Sequence, residues 1–382
     1  MNLNDYFDPI ELDFIHSKRF ELKDQLYKTI QIHTVENNIQ AIEGSDIAIV
    51  GVVSKTNNSI EGLKKIRESL YSLATFDKTV RIIDLGNIKP GKTNNDQSIA
   101  LRDVIVELVT LNIIPIIIGN SEDILYANYL AYQKLDKEIN LVSIDSKIKI
   151  SEDRESEYKS ALWKIIVENN DSLFSYYNIG YQTHFVNPKI LKYLSDQMHF
   201  AYRLGYIRSN IKEVEPIFRD ADLIGLNISS VRQSDAFGQT LPSPNGYYGE
   251  EICQLSRYSG MSIKLSSFGI YDYDTSHDIN FQTAQLIAQI IWYFIDGYLN
   301  RQKEYPLESE GDYKKFIVTM DKLDHELIFY KSEKTNRWWL EVPSLNKSNY
   351  KQVLISCTYD DYLDAGSGDI PQKWLKTFQK LN

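Results

Sequence analysis

Three short stretches collect the residues able to do chemistry. They read Pro115-Ile-Ile-Ile-Gly119-Asn-Ser-Glu-Asp123, Ser143-Ile-Asp145-Ser-Lys147-Ile-Lys149 and Gly225-Leu-Asn227-Ile-Ser229-Ser-Val-Arg232. Each begins apolar and ends polar, as a buried strand does where it emerges into a loop. Glu122, Asp123 and Asp145 offer carboxylates for a cation or an ion pair. Asp145, Lys147 and Lys149 alternate along one strand end and therefore share a face. A protonated lysine has no lone pair, so it cannot ligate a metal, and two ammonium groups on that face would repel a divalent cation. The charges of Glu122 and Asp145 match those of Lys147 and Lys149. The expectation is a self-neutralised cluster in which Lys147 or Lys149 pairs with Glu122 or Asp145, because unpaired buried charge is too costly to keep. Two other arrangements remain: a strand end splayed into water, and a metal-independent site using Lys147 as a base with a depressed pKa.

The remaining candidates are weaker. The six histidines (16, 33, 184, 199, 277 and 325) have no i, i+4 spacing; His184, His199 and His277 are the trio that could supply a replacement metal site. Cys253, within Glu250-Glu-Ile-Cys253, reads as a small core thiol rather than a nucleophile. Tyr247 and Tyr248 follow Pro242 to Gly246 and form a polar–aromatic loop that could hold a small ligand. Trp338 and Trp339 are adjacent on a predicted strand, so one should face inward and the other outward, where it could anchor a partner. Dinucleotide, P-loop and nucleophile-elbow motifs are absent.

The elements that must position these residues alternate between apolar runs and helical patterns. Strands are predicted over Asp46 to Val53, Val80 to Asp84, Ile113 to Ile118, Asn140 to Ile144, Tyr177 to Gly180, Ala221 to Asn227 and Ile263 to Phe268. Helices are predicted over Asp96 to Leu111, Asp123 to Lys137, Gly249 to Ser259 and Thr283 to Leu299. Near-continuous apolar strands with helical crossovers imply a parallel sheet covered on both faces, with its site beyond the carboxyl ends of the strands. After Arg301 the texture changes. Glu304 to Asp312 reads as a polar linker, followed by strand-like runs at Phe316 to Met320, Glu326 to Tyr330 and Arg337 to Val342. A closing helix runs from Asp369 to Leu381, with Asp369 as N-cap and Pro371 in the first turn.

Composition excludes several classes. The chain has 382 residues, 43% apolar and 12% aromatic, enough for one large domain plus an addition. Its net charge of −10 and lack of a basic block argue against nucleic-acid binding. Two cysteines, Cys253 and Cys357, fit no zinc or disulfide framework, which suggests a reducing compartment. Neither a signal peptide nor a membrane span is expected, so the chain reads as cytoplasmic.

In outline the three strand-end stretches resemble the metal-binding stretches of the ureohydrolases (arginase, agmatinase, formimidoylglutamase). Those show, in the same order, a Gly-Gly-Asp-His-Ser turn, an Asp-Ala-His-x-Asp strand end and a Ser-x-Asp-x-Asp strand end. The resemblance covers about residues 40 to 300 and is closest to the formimidoylglutamase branch, through Arg81 to Asn87, Glu213 to Asp220, Ile228 to Asp235 and Pro244 to Glu251. It implies an α/β fold, a three-layer doubly wound parallel sheet over residues 1–304; residues 305–382, read as a small C-terminal α+β addition, lie outside the pattern. It also implies a pair of manganese ions held by two His and four Asp. Carried onto this sequence, the first His falls on Glu122 and the Asp before it on Ser121. Asp145 is kept, while the next two ligands become Lys147 and Lys149, and the last two become Asn227 and Ser229. Glu251 matches the family's Glu that grips a guanidinium-like group, with Glu250 as a competing alignment. Asn120, Ser121, Asp123, Arg232, Tyr247, Tyr248 and Glu251 would line what remains of the ligand cleft.

Without the ions, the bridging hydroxide that attacks the substrate is lost, because lowering the pKa of water is the metal's task. The expectation is therefore a metal-free, catalytically inactive ureohydrolase-fold protein, without manganese or another cofactor, that binds or scaffolds. The alternative is a formimidoylglutamase-like amidine hydrolase in which Glu122 and Asp145, helped by Asp123 or Asp235, hold one metal. The resemblance implies oligomers. It extends to degenerate members in bacteria with gliding-type secretion machinery, which points to a homo-oligomer or a protein partner related to that machinery.

Overall fold

The structure, a computed structural model, describes all residues except 18, 19, 21, 23, 40, 54–58, 151–159, 307–311, 321–325 and 345–351. His325 lies outside the described residues, as does the side chain of His16. Ten strands form the main sheet: β1 (Phe7–Asp8), β2 (Ile30–Ile32), β3 (Ile47–Val52), β4 (Ile82–Ile88), β5 (Ile114–Gly119), β6 (Ile139–Ile144), β7 (Leu173–Tyr181), β8 (Phe200–Arg203), β9 (Leu223–Asn227) and β10 (Ser267–Tyr271). Their order is β1-β4-β3-β5-β10-β9-β6-β7-β8, with β2 also on β4. From β4 to β8 every pairing is parallel; β1 alone runs antiparallel.

The strands are apolar on both faces, and their alternation sorts side chains into two cores. Ile47, Ile49, Ile116 and Ile118 enter one core with α1 (Ser59–Tyr71), α8 (Gly249–Met261) and α9 (Gln282–Leu299). Ala48, Val50, Val52 and Ile117 enter the other with α2 (Asn94–Thr110), α3 (Asp123–Lys134) and the short α4 (Ala161–Trp163). This is the expected doubly wound three-layer α/β arrangement. Among the described residues no helix is long and apolar enough to cross a membrane. Consecutive strands β5 and β6 are not neighbours, because β10 and β9 lie between them. The carboxyl ends of β5, β10, β9 and β6 thus surround the point where the winding reverses, where open parallel sheets form their sites.

Between β7 and β9 come α5 (Pro188–Asp196), α6 (Leu204–Ser209) and α7 (Glu215–Arg219). The C-terminal addition is a separate antiparallel meander, β11 (Tyr313–Val318), β12 (Leu327–Ser332), β13 (Trp338–Pro343) and β14 (Gln352–Cys357), with α10 (Tyr359–Gly366) and α11 (Gln372–Leu381). It has its own core around Phe329, Trp338, Leu340 and Trp374. The strand β14 and helix α10 were not anticipated. The last helix begins three residues later than expected, with Pro371 rather than Asp369 at its N-cap.

The addition folds back onto the main domain near the starts of β7, β8 and β9, away from the strand ends that carry the motifs. Lys376 Nζ donates to the His199 carbonyl at 2.6 Å, and Lys380 donates to Phe174 O. Asp220 accepts from Ser356 N at 2.9 Å, Ser356 Oγ at 2.6 Å and Lys373 Nζ at 2.6 Å. Burial works against the Asp220 charge, but Lys373 and Ser356 more than offset it and hold the carboxyl below its usual range. Asp220→Ala is expected to weaken this docking by about 1–3 kcal/mol, since Lys373 loses its buried acceptor. The readout is a separate, earlier unfolding step of the C-terminal sheet in urea; a single unchanged transition would sink the assignment.

The expectation of one inward and one outward tryptophan is corrected. Trp338 is 6% exposed and Trp339 2%. Trp338 packs in the C-terminal core against Phe316 and Tyr362, while Trp339 turns to the main domain and lies under the Arg219 guanidinium at 4.4 Å. The face that sequence alternation left free is covered by docking, so neither ring is an exposed partner anchor.

Candidate functional site

The three motifs do converge. Glu122 sits before the first turn of α3, Asp145 just past β6, and Asn227 at the end of β9. Asn227 Nδ2 donates to Glu122 Oε1 at 3.0 Å and to Asp145 Oδ2 at 3.1 Å. Its Oδ1 accepts from Ser229 N at 2.9 Å, which fixes the orientation of the amide. Lys149 makes an ion pair with Glu122. The ammonium of Lys147 instead lies 5.0 Å from the Phe185 ring centroid, while its backbone N–H donates to Asp145 Oδ1 at 2.9 Å. The expected pairing is therefore present, through Lys149 and Glu122, and the splayed strand end is not.

Asp272 completes the cluster and was missed from sequence. It follows β10 at φ +66°, is buried, and accepts from Ser229 Oγ. The predicted strand over Ile263 to Phe268 ended three residues early, which left Tyr271-Asp272-Tyr273-Asp274 in a loop. Burial pushes the Asp145 carboxyl up to about 7; the Asp272 charge adds to this, against hydrogen bonds from the Lys147 N–H and Asn227. Burial also holds Lys149 below its ordinary value, with Asp272 opposing.

The strand-end cavity is small. Glu122, Asp145, Lys149, Asn227, Ser143 and Tyr176 line a space of about 30 Å³. Ala161 and Leu162 of α4 also line it, and Ser160 beside them donates to Lys149 O. Such a volume suits one or two waters, whereas small-molecule sites usually span about 300–1,000 Å³.

The other cleft residues form a second group. Tyr247 is fully buried with its ring against Gly180, whose φ of +102° leaves no room for a side chain: a Cβ there would lie 2.5 Å from the Tyr247 ring. Tyr248 is half exposed between Arg208 and Arg232, each guanidinium 4.0 Å from its ring centroid. Arg232 pairs with Asp235 at 2.8 Å. Glu251 is engaged by Arg208 at 2.9 Å and accepts from the Tyr248 N–H at 2.8 Å, so a guanidinium of this chain already holds it. Arg208, on a short helix with no motif, was not legible. Ser121 Oγ accepts from the Asp123 N–H at 3.2 Å and Asp123 faces Lys164 at 3.6 Å, which places both at the start of α3; Asn120 is half-buried beside them.

The histidine trio does not assemble. His199 Nδ1 accepts from Tyr176 N, His277 pairs with Asp274, and His184 packs on Phe185. Among the described residues no group of three or more His, Cys, Asp or Glu is placed to hold a metal ion. Cys253 is buried on α8, where burial pushes its thiol up to about 12, as expected of a small core thiol.

The chain is 24% identical over 293 residues to the formimidoylglutamase of Staphylococcus haemolyticus, spanning 70% of this chain and 92% of that one. It is 23% identical over 282 residues to that of Streptococcus gordonii, spanning 67% and 85%. Bacillus subtilis formimidoylglutamase superposes with a TM-score of 0.63 at 17% identity, over 76% of this chain and 97% of that one. Trypanosoma cruzi formiminoglutamase with Mn²⁺ gives 0.62 at 15%, over 69% and 96%. In sequence the chain is similar to formimidoylglutamases, and its fold is that of the arginase and formiminoglutamase structures. No family model matches it.

Proposed function

We propose that this ureohydrolase relative is metal-free and acts as a binding or scaffold protein rather than as a hydrolase. The observation that carries the reading is what the two carboxylates contact. Glu122 and Asp145 both accept from the Asn227 amide, and Glu122 also pairs with the Lys149 ammonium. A manganese pair needs lone pairs directed at it, and it needs anionic charge to offset its own. Lys149 offers neither, and the Asn227 oxygen is turned to Ser229 N. These residues do not fit the Mn²⁺ pair named for the Trypanosoma cruzi neighbour. The cavity of about 30 Å³ leaves no space for an amidine substrate. A second copy of the chain or another protein is the natural occupant of such a scaffold, in a cytoplasmic setting.

The second reading is an amidine hydrolase with an altered metal site, favoured by the name its sequence relatives carry. Mass-spectrometric metal analysis after incubation with manganese and desalting separates the two. The expected content is below about a tenth of an equivalent per chain, with no hydrolysis of formimidoylglutamate. About one or two equivalents of manganese, or turnover above the uncatalysed rate, would overturn the proposal.

A further inference from the structure

A groove of about 470 Å³ opens where the C-terminal addition meets α7, on the side of the molecule away from the strand-end cluster. Its base holds Arg219, 7% exposed, stacked on Trp339 at 4.4 Å. Nη2 of Arg219 donates to Trp338 O at 3.1 Å. Nε and Nη1 are buried with no hydrogen-bond partner. The nearest acid is Glu215, 3.5 Å from Nε, and the same Glu215 oxygen is also paired with Arg337 at 3.1 Å. Two guanidiniums thus share one carboxylate. Glu213 and Asp360 also line the groove, but the Tyr206 hydroxyl donates to Glu213 at 2.9 Å and Asp360 faces Glu213. Lys331 adds a further cation, 5.7 Å from the Trp338 ring centroid.

Leaving guanidinium N–H groups buried without a hydrogen-bond acceptor costs a desolvation penalty, and Arg219, which lines this groove, carries two such groups beside a carboxylate it shares with Arg337, so a further acceptor here would be favoured. Guanidiniums match planar or tetrahedral oxyanions, which they bind through paired N–H donors. Beside them Tyr359, 52% exposed, stands 5.4 Å from Trp338 centroid to centroid and offers a ring face at the groove wall. We propose that this groove binds a small ligand bearing a carboxylate or phosphate group, received by Arg219 and Arg337, with an apolar planar part resting on Tyr359. The site is built where the described part of the C-terminal addition packs on α7. It does not depend on whether the strand-end cluster holds metal.

The test uses the full chain in calorimetric titrations at fixed ionic strength, so that unspecific charge attraction is constant. The probes are inorganic phosphate, phenyl phosphate and phenylacetate. Saturable binding of phenyl phosphate or phenylacetate is expected, and the tighter of the two identifies the oxyanion. Arg337→Gln should weaken it about tenfold or more. Tyr359→Ala, at an exposed position that should not disturb folding, should reduce phenyl phosphate to the affinity of inorganic phosphate. No saturable binding of any probe to the wild-type chain would overturn the proposal. So would binding that both variants leave unchanged, since the probe would then sit elsewhere.

Discussion

Asp84→Ala is expected to lower the stability of the folded chain by about 3–5 kcal/mol, read as a lower urea midpoint at unchanged slope. Asp84 lies on β4 and is completely buried. Its Oδ2 accepts from Arg67 Nε at 2.9 Å and the Tyr71 hydroxyl at 2.8 Å; its Oδ1 accepts from Arg67 Nη2 and Gly86 N, both at 3.0 Å. Arg67 on α1 is 2% exposed and also donates to Asn87 Oδ1 at 2.8 Å and Gly86 O at 3.0 Å. Removing the carboxylate strands a guanidinium and a phenol in the core together. The backbone beside it cannot readjust freely. Gly86 has φ +93°, and a Cβ there would come within 2.2 Å of Asp8 O on β1. A loss below about 1 kcal/mol would mean that water reaches Arg67, against its burial.

Between about pH 4 and 7 the wild-type chain should lose stability relative to Asp145→Asn, by about 2–4 kcal/mol in total. The folded Asp145 carboxyl titrates at about 7, raised by burial and then by Asp272, whereas in the unfolded chain it returns to its ordinary range near 4. In this window the folded state binds the proton and the unfolded state does not, so stability falls as pH rises. The contribution is fully present below the unfolded pKa, and the loss is complete once pH passes the folded one. The upper figure applies to full burial; Asp145 keeps some solvent contact, which lowers it. Chemical denaturation of both proteins across this range is the measurement. Parallel curves would show that Asp145 remains ionised in the folded state and would remove the account of the cluster as a low-charge, inward-facing group.

The parallel sheet was legible because its strands, such as Ile114–Gly119, are apolar on both faces and its helices repeat apolar residues at helical spacing. The same reading put Glu122, Asp145 and Lys149 together, since strand ends meet at one edge of a parallel sheet. Asp272 escaped because β10 begins at Ser267, the last residue of a largely polar Lys264-Leu-Ser-Ser stretch, so the apolar run alone misplaced its end. The addition was harder to read. Gln352–Cys357 is a short strand, and the Thr358–Asp361 capping box that opens α10 was available in sequence but passed over.

By itself the sequence determined the layered α/β architecture and the strand ends at which the cluster forms, because periodicity is a local property. Only the tertiary structure decided which lysine pairs with Glu122, that Ala161 and Leu162 shrink the cavity to about 30 Å³, and that Arg208 occupies Glu251. It alone also buried Trp339 under Arg219 and built the groove beside it. Each of these depends on which surfaces distant segments bury against one another. That choice is set by packing and desolvation between elements, which no single stretch of chain encodes.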